Sequence, residues 1–355
     1  MKQPDTKLIG LGTLVALAFS ILAPQAMAQK YPDHTVTWVV PFGPGTVTDN
    51  GARVVAKALT EKLGQPVIVE NRPGAGGIVG TEFVANAKPD GYTMLYGSSG
   101  PMATNPSLYK KLSYSPLKSF VPVYSIGESP LVVVVNADSP FKTLADLIDY
   151  GKKNPGKLNF GTSGAGTAQH LTGELLQMAA GIKMTHIPYK AGASQMVDLL
   201  AGVLQVNFEY PSVVKPQIAA GKLRPLGVTS AKPLNSFPGV KTVAEQGWPD
   251  VVLTAWATLM LPAGTPLDVV NTLATAFAAA LQDPEVVKYY ADNDTTLLGL
   301  GPDKLPAFME SEAQEGREAG SIQRLDLVSC CHDRPCLGWA RREPPGVRHR
   351  RLRSG

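Results

Sequence analysis

Twice in this chain a short apolar run gives way to a glycine-rich loop that leads directly into a helix-like segment. The first run is 35–41, followed by loop 42–48. The second is 158–161, followed by loop 162–166. This pairing constrains the fold more than any other feature. A strand that feeds a helix through a tight loop is half of a βαβ unit, and such units build sheets covered by helices. Ligands of open α/β sheets sit beyond the carboxyl ends of the strands, where both loops fall. A helix start carries unpaired N–H groups and about half a positive charge. Glycine lets that backbone approach an anion closely. Two such loops form two poles for a molecule that bears a carboxylate. The candidate contacts are Phe42, Gly43, Gly45, Thr46, Thr48 and Asp49 in the first loop. In the second they are Ser163, Gly164, Ala165, Gly166 and Thr167.

The rest of the chain repeats the alternation. Asp49 or Asn50 is expected to cap a helix that runs to Leu63 and stops at Gly64. A strand at 66–70, a glycine-rich turn at 72–77 opening a helix, and a strand at 92–96 follow. Ser98 lies in the small-residue loop 97–105 and joins the candidate contacts. The pattern restarts at an apolar strand, 131–135. Helices are expected at 143–153, 167–180, 193–201 and 213–220, with strands at 184–188, 206–208 and 223–229 between them. The end of the body reads as a strand at 251–261 and helices at 266–282, 284–293 and 302–312. Two βα sheets in one chain place a cleft between them.

The chain ends set compartment and partners. Lys2 and Lys7 precede an apolar run, 8–23, which Pro24 ends before the small residues Ala26, Met27 and Ala28. That is the form of a cleavable secretory signal, residues 1–28, and implies export to the periplasm. The run is shorter than the roughly 20 residues a spanning helix needs. Residues 316–355 hold nine arginines, no lysine and all three cysteines. Residues 1–315 hold 24 basic and 25 acidic residues. No basic face of the kind nucleic acid needs is present. A body without cysteine needs no disulfide in an oxidising compartment. The Arg/Cys-rich tail reads as foreign to the fold, and Cys330-Cys331-His332 lacks metal-ligand spacing. No cofactor and no metal are expected.

A series of short motifs resembles the tripartite tricarboxylate transporter substrate-binding family, the Bug receptors. They include Val39-Val40-Pro41-Phe42-Gly43-Pro44-Gly45, Val69-Glu70-Asn71-Arg72-Pro73-Gly74-Ala75-Gly76-Gly77 and Pro89-Asp90-Gly91-Tyr92-Thr93. Asn105-Pro106-Ser107-Leu108-Tyr109, Gly161-Thr162-Ser163-Gly164, His186-Ile187-Pro188-Tyr189-Lys190 and Pro262-Ala263-Gly264-Thr265-Pro266 continue the order, and the resemblance runs from about Tyr31 to Glu312. It implies a two-lobed periplasmic binding protein fold, type II-like. Each lobe would be a mixed, mainly parallel sheet flanked by helices, with the ligand cleft between lobes. Lobe one would be 29–128 plus 250–315, and lobe two 129–249. It implies a monomeric receptor for a small organic anion, with transporter subunits or a sensor kinase as partners.

The family's first loop usually reads Pro-Phe-x-x-Gly-Gly-x-x-Asp. Phe42, Gly45 and Asp49 match it, and Thr46 stands at the second glycine. The second loop matches through Thr167 and His170. A later Phe-Asp segment becomes Phe208-Glu209, which makes Glu209 a candidate recogniser of an amine or hydroxyl. Tyr189 is a candidate cleft wall.

The rival reading is a serine hydrolase on an α/β frame. Gly161-Thr162-Ser163-Gly164-Ala165 is one residue off a nucleophile elbow, and His170 is the nearest base. No triad partner is placed, so a binding protein without catalytic residues is expected. Residues 72–77 lack the Lys-Ser/Thr of a phosphate loop.

Overall fold

The computed structural model describes residues 31–189 and 192–314. The expected signal segment and the Arg/Cys-rich tail lie outside the described residues.

In the first lobe, β1 (Val36–Val40) leads into α1 (Val47–Leu63), then β2 (Val67–Asn71), α2 (Ile78–Ala85) and β3 (Thr93–Ser98). Strands β1, β2 and β3 pair in parallel, as alternation with helices requires. Strand β4 (Phe120–Pro130) and, much later, β10 (Thr254–Pro262) and β11 (Thr296–Leu297) extend this sheet antiparallel. The order is β11-β4-β10-β3-β1-β2.

The second lobe holds β5 (Val132–Asn136), α4 (Leu144–Lys153), β6 (Leu158–Thr162), α5 (Ala168–Ala180) and β7 (Met184–Pro188). It continues with α6 (Gly192–Leu200), β8 (Val206–Glu209), α7 (Pro211–Ala219) and β9 (Leu223–Val228). The short helix Asn105–Leu108 of lobe one is α3. The second sheet runs β7-β6-β8-β5-β9, with β6 parallel to both neighbours and β5 antiparallel to β8 and β9. Both sheets are mixed. The parallel pairs arise where the chain winds locally, and most antiparallel pairs involve strands that carry it between lobes.

Those crossings are tied to one another. The chain leaves the first sheet at Pro130 and starts the second at Val132, so Leu131 alone separates them. Leu131 N donates to Thr229 Oγ1 at 2.8 Å, and Thr229 N donates to Leu131 O at 2.9 Å. Thr229 Oγ1 in turn donates to Leu253 O at 2.7 Å, just before β10.

Each lobe has its own core. Fully buried Trp38 stacks on Tyr96 with ring centroids 5.8 Å apart and meets Phe277 edge-on at 5.6 Å. Phe160 packs edge-on against Phe208, 5.8 Å away, in the second. Helices α8 (Leu267–Leu281) and α9 (Pro284–Asp292) cover lobe one, and the helical run 305–314 inserts Leu305 and Met309 beside Trp256.

The cap of α1 differs from the sequence expectation. Thr46, not Asp49 or Asn50, is the N-cap, with extended φ −74° and ψ 162°. Its hydroxyl accepts from Asp49 N and lies within hydrogen-bond reach of Gly43 O and Thr48 Oγ1. Because φ is negative, a Cβ costs nothing where the family pattern has glycine. Strand β4 is not marked by periodicity at all. Pro122, Ser125, Gly127 and Pro130 interrupt it, and its pairing with β10 shifts register twice.

Candidate functional site

The carboxyl ends of β1, β3, β6 and β8 meet at one cavity of about 170 Å³ between the lobes. Lobe one contributes Phe42, Gly45, Thr46, Thr48 and Ser98, and lobe two contributes Ser163, Thr167 and Glu209. Tyr96, Ile126, Trp256, Tyr289 and Tyr290 make an apolar wall from lobe one, and Met196, Tyr210 and Val213 one from lobe two. Among the described residues, no Lys or Arg lines it. Gln169 and Gln195 also line the cavity and escaped sequence reasoning. Gln169 follows Thr167 by two residues in the first turn of α5, which was a usable signal. Gln195 reaches the cavity from α6, which no motif announces.

The other candidate residues lie around the cavity rather than on it. Asp49 is buried behind the first loop. Its carboxylate accepts from Gly45 N at 2.9 Å, Arg53 Nε at 3.0 Å and Asn71 Nδ2 at 2.9 Å. Burial pushes this carboxyl up, but the bonds from Arg53, Gly45 and Asn71, with the Arg53 charge, outweigh it and hold the group below its ordinary value. Gly43 offers only its carbonyl, to the Thr46 hydroxyl. Tyr189 turns to α6, where its hydroxyl donates to Asp198 Oδ2 at 2.5 Å.

The second loop uses much of its own backbone internally. Ser163 N donates to Gln169 Oε1 at 2.8 Å, Gly164 N to Thr162 Oγ1 at 3.0 Å and Gly166 N to His170 Nδ1 at 3.2 Å. These N–H groups do not form the open anion cradle that glycine spacing suggests. The loop instead presents Ser163, Thr167 and the start of α5 at Ala168 to the cavity. His170 is thereby engaged with backbone, not poised as a base for Ser163.

Gly164, Ala165 and Gly166 serve the contact between lobes. A Cβ on Gly76 of lobe one would stand 2.2 Å from Ala165 O, and one on Gly166 would stand 2.0 Å from Asn105 Oδ1. A Cβ on Gly164 would meet Gly76 N at 2.8 Å. Gly76, Gly164 and Gly166 also have positive φ, at 61°, 130° and 82°. Only glycine satisfies both conditions without strain.

Below the second loop, His170 and His186 rings lie 4.3 Å apart, and His186 Nε2 shares a 2.6 Å hydrogen bond with Thr162 Oγ1. Burial lowers the His170 pKa to about 4, with His186 adding to the effect, and burial lowers His186 to about 4 as well. Both imidazoles are therefore neutral in the fold at neutral pH. In the unfolded chain they take up protons below the ordinary value of 6.5. Stability is expected to be unaffected by this pair above that value and to fall as pH drops toward about 4. Denaturant midpoints measured over this range check it. A His170→Gln, His186→Gln double variant with the same pH slope as the parent would show that the pair is not responsible.

Glu209 ends β8 and is buried at 5% exposure. Gln169 Nε2 donates to its Oε2 at 3.0 Å, and Gln195 Nε2 donates to its Oε1. Burial raises its pKa to about 7 against the lowering effect of Gln169, the Tyr210 N–H and Gln195.

The pattern of the tripartite tricarboxylate transporter family receptor matches residues 51–325. The match runs past Glu312, where the motif-by-motif resemblance ends. Protein BugT of Bordetella pertussis is 38% identical over 314 residues, covering 88% of this chain and 95% of BugT. An R. palustris protein solved with adipate superposes with a TM-score of 0.78 at 33% identity, over 82% of this chain and 98% of that one. MatC from Rhodopseudomonas palustris, solved with bound malate, gives 0.78 at 28% identity, over 82% of this chain and all (100%) of MatC. These relatives are receptors rather than enzymes, and their two-lobed α/β architecture is the one described above. This chain belongs to the tripartite tricarboxylate transporter receptor family.

Proposed function

We propose that the protein captures a small carboxylate-bearing metabolite in the periplasm and holds it between its lobes for uptake or sensing. One observation carries this reading: the starts of α1 and α5, from different lobes, converge on a single cavity with hydroxyl groups at Thr46, Thr48, Ser98, Ser163 and Thr167. Helix starts and hydroxyls can hold a carboxylate without a basic side chain. The adipate and malate bound by the two R. palustris relatives support the same class. Capture proceeds by closure. Ligand contacts from both lobes exist only when the lobes meet, so binding shifts the protein toward that state. Membrane subunits of a tripartite transporter, or a sensor kinase, then read the closed shape.

A thermal-shift screen tests the reading. A ligand at about 100 times its Kd adds about 2.7 kcal/mol, enough to raise the melting temperature by several degrees. Small organic acids are expected to do so. Stabilisation by neutral sugars or polyols, with none by any acid, would sink the carboxylate reading.

A further inference from the structure

The lobes also touch at a place remote from the glycine contact. Gly76 follows β2 at one edge of the first sheet, and Asp294 precedes β11 at the opposite edge. Asp294 lies in the turn that ends α9. Its backbone is left-handed, with φ 52°, a conformation that residues with a Cβ seldom adopt. Asp294 N donates to Ala291 O at 3.2 Å and Thr295 N to Tyr290 O at 3.0 Å, which fixes the turn. The Asp294 side chain, only 12% exposed, reaches across to lobe two. Its Oδ2 accepts from Ser236 Oγ and lies 3.7 Å from Lys215 Nζ. Lys215 Nζ also donates to Asp292 O at the end of α9. The ammonium thus meets the negative end of a helix as well as a carboxylate.

Each half of this contact is mounted on its own core. Lys215 follows buried Val214 on α7, and Ser236 precedes buried Phe237. Val214 and Phe237 share an apolar cluster with Val132 and Val134 of β5. On the other side, α9 is anchored in the lobe-one core by Val286 and Tyr290. The cavity reaches the contact from both sides. Asn293 and Thr295 line it on either side of Asp294, and Val213 lines it just before Lys215. Asp294, Lys215 and Ser236 are not part of its lining.

We propose that Asp294, Lys215 and Ser236 form a latch that holds the closed lobes together and sets affinity for cargo without touching it. Opening hydrates the carboxylate and the ammonium separately, and closing pairs them. The latch therefore raises the closed fraction, and apparent affinity scales with that fraction. Asp294 is the positioning residue, because its left-handed turn aims the carboxylate across the gap. This rests on capture by closure and not on the chemical class of the cargo.

Hydrogen exchange on the full chain without cargo tests the latch. Asp294→Asn tolerates the same backbone conformation, and Lys215→Met keeps the apolar stem. Each is expected to speed exchange about tenfold in peptides covering 72–77 and 163–168, at the far lobe contact. The double variant is expected to match the single ones within about twofold, since all lose one shared contact. If Asp294→Asn fails to fold, Asp294→Gly, which suits a positive φ, is read in its place. Acceleration confined to 284–297, or none, overturns the latch, as does a double variant in which the two effects multiply. Titration with malate and adipate reads the consequence. The Kd of either acid that binds the parent is expected to rise about tenfold in each single variant. An unchanged Kd overturns the proposal. Faster exchange at the far contact, with neither acid bound by the parent, upholds the latch and counts against the carboxylate reading instead.

Discussion

Gly76→Ala is expected to weaken ligand binding by about 100-fold, ~3 kcal/mol, while each lobe stays folded. The new Cβ would stand 2.2 Å from Ala165 O across the lobe contact, far inside van der Waals distance. Backbone holds both sides, so no flexible side-chain end can move aside. The lobes must separate, and contacts shared by both are lost. Positive φ at Gly76 adds local strain to the open and closed states alike, which lowers stability rather than affinity. Gly64→Ala separates the two effects. Gly64 also has positive φ, at 69°, but a Cβ there meets nothing within 4 Å. It should lose stability and keep affinity. Titration with a bound acid, together with small-angle scattering for compaction, reads both variants. Normal affinity and normal compaction in Gly76→Ala would show that the observed contact is not the binding state.

Asp49→Ala is expected to destabilise lobe one by about 2–3 kcal/mol and to abolish measurable binding. The lost carboxylate leaves the Gly45 N–H, Asn71 and the Arg53 guanidinium without their buried acceptor. Removing one partner of a buried charged pair costs about 3–5 kcal/mol when both partners are enclosed. The Arg53 side chain is 50% exposed and rehydrates, which reduces the figure. The loop 42–48 then loses the bond that sets Gly45 against α1. The sign with pH follows from the depressed pKa. Asp49 contributes its stability above the ordinary carboxyl value of 3.8, and the contribution is lost as pH falls below it. Denaturant unfolding and titration measure both effects. A variant within about 0.5 kcal/mol of the parent, with binding retained, would show that Asp49 does not organise the loop.

Much of this architecture is legible in the sequence where local signals act. The β1 loop and the β6 loop announce themselves by apolar runs, glycines and helix starts. Gly64 and Gly181 stop their helices in the left-handed conformation, at φ 69° and 64°. What escapes is long-range. Strand β4 carries two prolines and a glycine, and its pairing with β10 decides its conformation. Gln195 reaches Glu209 only because α6 packs beside β6 and β8. The glycines of the second loop were legible as glycines that permit close approach. What they approach is lobe one, the backbone of Gly76 for Gly164 and the Asn105 side chain for Gly166, and no local pattern distinguishes that from approach to an anion.

Gly76, Gly164 and Gly166 make the lobes meet, yet none of them lines the cavity. Glu209, Gln195 and Gln169 line it and take no part in that backbone contact. On the proposed reading, the shutting of the molecule and the recognition of its cargo fall largely to different residues, with Gly100, which lines the cavity and lies against Gly166 O, shared by both. A lineage can exchange the cargo-reading side chains one at a time and still inherit a working clasp. That separation gives a physical route by which one receptor frame diversifies across many solutes without passing through forms that no longer close.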